Sequence, residues 1–235
     1  IAIGFGIVVM YIFSGGFLAV AWSDFFQGSL MFVGLLLLPV VAYFSLSGDV
    51  SIIEGLRSID PWLLDIWGPG GLTLMNFVAV LGLLSIGIGF MGSPQVYVRF
   101  IAIRDEREID KGKWVAIFFT LLTDSAAVMI GILGRVLFTG IGDMPEIALG
   151  VGAEDVLPVL VETVMPMALV GLYIGVILAA VMSTIDSLLV VASSAVTRDL
   201  YQKVLGGGGD EVRLTLISRW TTVIMALLAL GLSMT

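Results

Sequence analysis

Six long apolar stretches constrain the fold of this chain more than any other feature. They cover residues 1–21, 25–48, 71–92, 114–138, 163–197 and 214–235. A helix needs about 20 apolar residues to cross the hydrocarbon core of a bilayer, so we predict an all-α, polytopic membrane protein with about six spans. The fifth stretch is too long for one simple crossing, so it must tilt, project from the membrane or begin as an interfacial segment. We expect one transmembrane domain, 1–235, incomplete at both ends because the chain begins and stops inside apolar runs.

The composition excludes several classes of protein. Hydrophobic residues make up 59% and charged residues 13% of the 235 positions, whereas soluble domains carry about 25% charge. The chain has no Cys and no His, which excludes disulfides, thiol chemistry, zinc ribbons and His-dependent triads. We therefore expect no enzyme, no bound cofactor and no nucleic-acid partner.

The charged residues between the apolar stretches separate by sign. Nine of the eleven Lys and Arg residues lie within 99–113 and 198–219, whereas 49–70 and 139–162 together hold one Arg and nine Asp or Glu residues. Basic loops of membrane proteins face the cytoplasm. The predicted cytoplasmic loops are 99–113 and 198–213, with a tight turn at 15–24, and the predicted external loops are 49–70 and 139–162.

Four charged side chains fall within the apolar stretches, where an unpaired charge costs roughly 2.5–3.5 kcal/mol or more. They are Asp24, Asp124, Arg135 and Asp186. Asp24 is either the N-cap of the second span or a functional carboxylate, and Arg135 can snorkel to the outer surface. Asp124 lies near mid-span and must face a cavity, pair with a cation, be protonated or hydrogen-bond a neighbouring helix.

Asp186 stands beside a polar stripe on one helix face. At about 100° per residue, Ala180, Ser183, Thr184 and Ser187 fall within about 100° of arc, and Asp186 lies about 60° further round. Hydroxyl, carboxylate and carbonyl oxygens are ligands for hard cations, and the modest charge suits Na⁺ better than Ca²⁺. Helix–helix packing through small polar residues explains the same stripe equally well.

The third stretch contains residues that weaken a helix. Gly87, Gly89 and Gly92 are followed by Pro94, and glycine and proline both disfavour helix interiors. Transporters place solutes and ions at broken spans of this kind. A plain proline kink is the alternative.

Three motifs carry a resemblance to a known family. They are Gly15–Gly28 (GGFLAVAWSDFFQG), Gly89–Phe100 (GFMGSPQVYVRF) and Ile177–Tyr201 (ILAAVMSTIDSLLVVASSAVTRDLY). The chain resembles the sodium/solute symporter family, most closely its bacterial proline-carrying members. The resemblance implies a leucine-transporter-type fold with two inverted five-helix repeats, in which the six spans correspond to core helices four to nine.

The resemblance also implies sodium-binding residues. Ala180, through its carbonyl, Ser183 and Thr184 match the eighth-helix half of the family's main sodium site. Asp24 matches a carboxylate that helps sodium to bind and leave. In some members it joins a second sodium site, for which the matching positions here are Ser183, Asp186 and Ser187. A Ser is expected at position 186, so the extra carboxylate either tightens sodium binding or couples a proton.

The same resemblance points to a solute site that departs from the proline-carrying pattern. Pro94 matches a gate proline, whereas Phe90 stands where a Tyr is expected and Ile86 where a Trp is expected. Asp124 has no expected counterpart. These differences suggest a solute other than proline, one that is larger or bears a cation.

The resemblance implies a sodium-coupled symporter that imports a small organic solute, proline or a related amino acid, by alternating access. Its expected location is the bacterial inner membrane, and its expected partners are the solute, Na⁺ and the lipid bilayer. The alternative is the transporter-like sensory domain of a membrane histidine kinase.

Overall fold

The computed structural model describes residues 2–45, 51–208 and 210–233, and every regular element in these ranges is a helix, as predicted. The α-helices are α1 (Ala2–Ser45), α2 (Ile52–Ile59), α3 (Leu74–Met91), α4 (Pro94–Ile101), α5 (Glu106–Phe138), α6 (Pro145–Leu149), α7 (Val156–Val164), α8 (Met167–Ser194) and α9 (Glu211–Ser233). Short 3₁₀ helices cover Pro61–Leu64 and Val151–Ala153, and a π-helix over Ala195–Val204 continues directly from α8.

Among the described residues, five helical segments are long and apolar enough to cross a membrane, whereas six spans were predicted. The difference lies in α1, where the described residues of the stretches 1–21 and 25–48 form a 44-residue element, Ala2–Ser45, made of two helices joined directly at a break. Only Gly16 departs from helical geometry inside it, with φ 56° and ψ −143°. Because glycine adopts positive φ without a steric penalty, one residue makes the break for which the sequence predicted a turn at 15–24. Residues 46–48 of the second stretch lie outside the described residues.

Two prolines divide other apolar stretches. The break predicted in the third stretch is present, because α3 ends at Met91 and α4 begins at Pro94. Proline suits the first turn of a helix, where its missing N–H would have no partner. Pro166 likewise separates the end of α7 from α8 at the start of the fifth stretch. The rest of that stretch, from Met167, is one helical run that continues through the π-helix to Val204, so its excess length remains within a single long helix.

The polar stretch 99–113, predicted as a loop, is largely helical. Arg99 lies in α4, and α5 begins at Glu106, well before the apolar stretch 114–138. The Asp105 carboxylate caps α5 by accepting a hydrogen bond from the Arg107 amide at 3.2 Å. Two exposed Lys–acid pairs three residues apart add support to the first turns of this helix.

The chain divides into two compact units. The first unit comprises Ile1–Met31, Pro94–Ala102 and Gly175–Thr235. It therefore contains the start of α1, all of α4, most of α8 and all of α9. Its buried core consists of Val8, Ile12, Val20, Leu189 and Ala226.

The second unit comprises Phe32–Ser93 and Ile103–Ile174. Its buried core consists of Leu38, Ala42, Ile130, Leu133, Leu160, Val161, Met165 and Tyr173. The buried Tyr173 hydroxyl donates a hydrogen bond to the Gly34 carbonyl at 2.8 Å, which fixes the start of α8 against the second half of α1.

Candidate functional site

Three oxygens on α8 lie close together in the first unit. The Ser183 and Thr184 hydroxyls donate hydrogen bonds to the same acceptor, the Ala180 carbonyl, at 3.0 and 3.1 Å. This local geometry follows from helical spacing, because residues three and four positions apart share a face. The set offers three uncharged oxygen ligands, which suits a weakly held monovalent cation better than a divalent one.

Asp186 lies one turn further along α8 and is completely buried, with 0% of its surface exposed. The Tyr11 hydroxyl on α1 donates a hydrogen bond to Asp186 Oδ2 at 2.5 Å. The Ser187 hydroxyl lies 3.3 Å from Oδ1 and 2.8 Å from the Ser183 carbonyl. Hydroxyls from two helices therefore hold this carboxylate in place.

Asp24 lies inside α1 rather than at the N-terminus of a separate span, so it is not the N-cap that one interpretation of the sequence proposed. Its partner is Arg99 on α4, whose Nη2 lies 2.5 Å from Asp24 Oδ2. The same Nη2 also donates to the Ser187 hydroxyl at 2.6 Å. Arg99 thus links α1 to α8 within the first unit.

These contacts form one polar network. From one end to the other, its members are Asp24, Arg99, Ser187, Asp186 and Tyr11. The network contains two carboxylates and one guanidinium, which pairs with Asp24 and not with Asp186. It therefore carries one more negative than positive charge when both acids are ionised. A buried charge of this kind is costly, and one further monovalent cation would balance it.

The sequence pointed to Asp24, Asp186 and Ser187 but missed two members of this network. Arg99 was counted as a cytoplasmic loop cation, and Tyr11 was passed over inside an apolar stretch. The one available signal for Tyr11 is general, since a tyrosine hydroxyl that enters an apolar interior usually finds a hydrogen-bond partner.

The residues predicted to bind solute do not form a cluster comparable to the polar network. Ile86 and Phe90 on α3 are 65% and 62% exposed, and Asp124 is exposed on α5. In the ranges that the structure describes, no hydrogen bond, ion pair or ring contact joins these three residues of the second unit. Pro94 begins α4 in the first unit. Their assignment to solute binding stays a prediction.

Arg135, which the sequence suggested can snorkel, is partly buried. Its Nη1 is buried without a hydrogen-bond partner among the described residues. Within those same residues, no group of three or more carboxylates is placed to hold a metal ion.

Comparison with known proteins decides the family. The model of the sodium:solute symporter family matches residues 1–235. The chain belongs to this family. Membership agrees with the resemblance seen in the three sequence motifs, and with the five apolar helices it indicates a multi-pass membrane protein.

Several relatives of this symporter-family chain are proline carriers by name. It is 32% identical over 235 residues to the high-affinity proline transporter of Bacillus subtilis (strain 168), covering 97% of the chain and 46% of the relative. It is 33% identical over 232 residues to the sodium/proline symporter of Escherichia coli (strain K12), covering 98% and 45%. The osmoregulated proline transporter of Bacillus subtilis (strain 168) is 30% identical over 229 residues, covering 97% and 44%.

The chain thus spans slightly less than half the length of these relatives. They are transporters rather than enzymes, which agrees with the expectation drawn from the composition. No solved structure matches the chain.

Proposed function

We propose that the protein is a sodium-coupled secondary symporter that imports a small organic solute, proline or a related amino acid, across the bacterial inner membrane. The observation that carries this proposal is the convergence of the Ser183 and Thr184 hydroxyls on the Ala180 carbonyl. Family membership and the names of the relatives support it. The same names favour transport over the sensory alternative.

In this proposal sodium binds beside Ala180, Ser183 and Thr184 and stabilises an outward-open state. A ligand shifts a conformational equilibrium only by its difference in affinity for the two states, so the ion must bind the inward-open state more weakly. The membrane potential contributes about 2.3 kcal/mol per charge per 100 mV to the coupled import. Asp24 receives sodium on its way to the cytoplasm, in competition with the guanidinium of Arg99.

Proline remains the first solute to test, although Ile86, Phe90 and Asp124 depart from the family pattern. With Ile86 in place of the expected Trp and Phe90 in place of the expected Tyr, the aromatic wall of the proposed solute site is smaller, and Asp124 adds a carboxylate. These differences favour a related amino acid that is larger than proline or carries a positive charge. Pro94 is proposed as part of the gate, as in the family motif that it matches.

The test is uptake of labelled proline by the full-length protein in proteoliposomes, with and without an imposed sodium gradient. We expect sodium-driven accumulation, which Ser183→Ala and Asp24→Asn each abolish while the protein still folds. Ser29→Ala and Asp110→Asn are matched controls that retain uptake, because Ser29 is outside the site and Asp110 makes only an exposed pair.

If proline is not carried, a panel of amino acids is tested under the same gradient. Sodium-dependent uptake of another solute would keep the mechanism and replace proline. Unchanged sodium dependence in both site variants would contradict the sodium-site assignment.

A further inference from the structure

A cavity of about 370 Å³ lies within the first unit, between the first half of α1, the helical run from α8 into the π-helix, and α9. Its walls include Gly16 at the break in α1, Thr197 and Arg198 on the π-helix, and Arg219 on α9. Pockets that bind small molecules have volumes of about 300–1,000 Å³. Among the described residues that line this cavity, none belongs to the proposed sodium site.

Two buried polar atoms on residues of the cavity wall have no hydrogen-bond partner in the described part of the chain. They are the Thr197 hydroxyl and Arg219 Nε, and Thr197 as a whole is only 2% exposed. Other hydroxyls of the wall bond to a carbonyl of their own helix, as those of Thr215 and Thr222 do at 2.7 and 3.0 Å. Because a buried polar group without a partner is costly, a ligand that accepts hydrogen bonds in the cavity would stabilise both atoms.

The charges around the cavity favour an anion as that ligand. Arg219 makes no ion pair among the described residues, and its Nη2 donates to the Ser14 carbonyl at 3.2 Å. Arg198, which is exposed, pairs with Glu211 at 2.8 Å, whereas the described walls of the cavity contain no Asp or Glu. The charge of Arg219 is therefore left unbalanced, and an anionic ligand would balance it.

The donors and the position of the cavity favour a phosphate group. A phosphate presents several acceptor oxygens, so it can bond to the Thr197 hydroxyl and to both guanidinium groups at once, and arginine is well suited to phosphate. The segments 15–24 and 198–213, which contribute to the wall, are both predicted to face the cytoplasm. Basic pockets between spans on this side of a membrane bind phosphate-bearing head groups of lipids.

We propose that this cavity binds a phosphate group, held by Arg219 and Thr197 in its interior and by Arg198 at its rim. The group belongs either to the head group of an anionic phospholipid or to a free phosphate ion, because both present the same oxygens. Bound there, it bridges the π-helix and α9 and stabilises this end of the first unit. The inference concerns a second ligand and does not depend on the proposed symport.

Thermal unfolding of the full-length protein tests the site. The protein is purified in a neutral detergent, stripped of lipid, and titrated with inorganic phosphate, with phosphatidylglycerol, or with chloride at matched ionic strength. We expect a saturable rise in the unfolding temperature with at least one of the first two probes and none with chloride. A rise with phosphatidylglycerol alone identifies a lipid head group, and a rise with inorganic phosphate shows that the free ion is sufficient. No saturable rise with either probe would overturn the proposal.

Variants of the full-length protein locate the site. Arg219→Gln and Thr197→Val should each raise the probe concentration that gives half of the maximal rise by at least about fivefold, the effect of one lost hydrogen bond. Thr197→Val nearly preserves the volume of the side chain, so it should fold as the wild type does. Arg213→Gln removes an exposed cation of α9 outside the cavity and should leave that concentration unchanged. Wild-type values in both Arg219→Gln and Thr197→Val would overturn the proposal.

A variant with tighter binding separates a lost site from a damaged fold. In Glu211→Gln, Arg198 no longer has a competing carboxylate, so a lower probe concentration should give half of the maximal rise. A misfolded protein cannot produce this gain. An unchanged concentration in Glu211→Gln would contradict the part of the proposal that assigns Arg198 to the rim.

Discussion

At the scale of single residues, Arg99 is the positively charged side chain that joins two helices of the polar network. Its guanidinium contacts a carboxylate on α1 and a hydroxyl on α8 at the same time. The Arg99 guanidinium occupies the position between Asp24 and Ser187 that a free cation would otherwise take. If sodium passes Asp24 as proposed, the Arg99 contact must loosen first.

Replacing Arg99 by Gln tests this competition. Without the guanidinium, the Asp24 carboxylate attracts free sodium, so half-maximal uptake should need about three- to tenfold less sodium. This range corresponds to about 0.7–1.4 kcal/mol, the size of a partly exposed ion pair. Sodium titration of uptake in proteoliposomes measures it.

The control for Arg99→Gln is Arg104→Gln, which removes an exposed cation a few residues away. It should leave the sodium dependence unchanged. An Arg99→Gln protein with the wild-type sodium dependence would show that the ion pair has no part in sodium binding.

Whether a contact in the site could be predicted depends on how far apart its two residues lie in the sequence. The grouping of Ala180, Ser183 and Thr184 was predictable because it needs only helical periodicity. The contact between Tyr11 and Asp186 joins residues 175 positions apart, and no local pattern specifies which apolar helix supplies the donor. The ion pair of Asp24 was missed for the same reason.

At the scale of helices, glycines determine how closely elements approach. A Cβ built at Gly134 on α5 would overlap the Val156 side chain at the start of α7. Gly131, one turn earlier on the same helix, faces open space. The two glycines therefore form a matched pair in which only one is required for packing.

Gly134→Ala should destabilise the protein by about 1–3 kcal/mol, the usual cost of an overpacked contact. Gly131→Ala should be neutral or stabilising by up to about 1 kcal/mol, because alanine is favoured over glycine within a helix. Thermal unfolding of the purified full-length variants measures both effects. Equal destabilisation by the two substitutions would contradict the close approach of α5 and α7.

Helix boundaries show which local signals are dependable. The break at Pro94 was predicted because proline lacks an N–H and restricts the backbone. The start of α5 was missed, because a polar, charged sequence suits an exposed helical turn as well as a loop. The break in α1 lies within the turn predicted at 15–24, but it is shorter than expected, because only Gly16 leaves helical geometry there.

At the scale of the whole molecule, the charge pattern predicts which side of the membrane each polar segment faces. The prediction places 99–113 in the cytoplasm and 139–162 outside. Both segments contain exposed residues suited to labelling, such as Lys111 and Glu146. The chain has no Cys, so single cysteines can be introduced here without a competing thiol.

In a full-length protein freed of any other cysteines, Glu146→Cys should react with a membrane-impermeant maleimide in intact cells. Lys111→Cys should react only after the membrane is opened, because basic loops stay on the cytoplasmic side. Labelling is read by a mass shift on a gel. The reverse pattern would invert the topology and with it the direction assigned to sodium release.

The π-helix at Ala195–Val204 bears on how this chain can gain or lose residues over evolutionary time. Each π turn holds more residues than an α turn, as the 2.9 Å hydrogen bond from the Leu205 amide to the carbonyl five residues back shows. A deletion inside the segment can be absorbed when a wide turn tightens to α geometry. The same deletion between Ala180 and Ser183 would rotate every later side chain by about 100° and disperse the clustered oxygens. Length can therefore vary at the end of this helical run while the residues of the proposed sodium site keep their register.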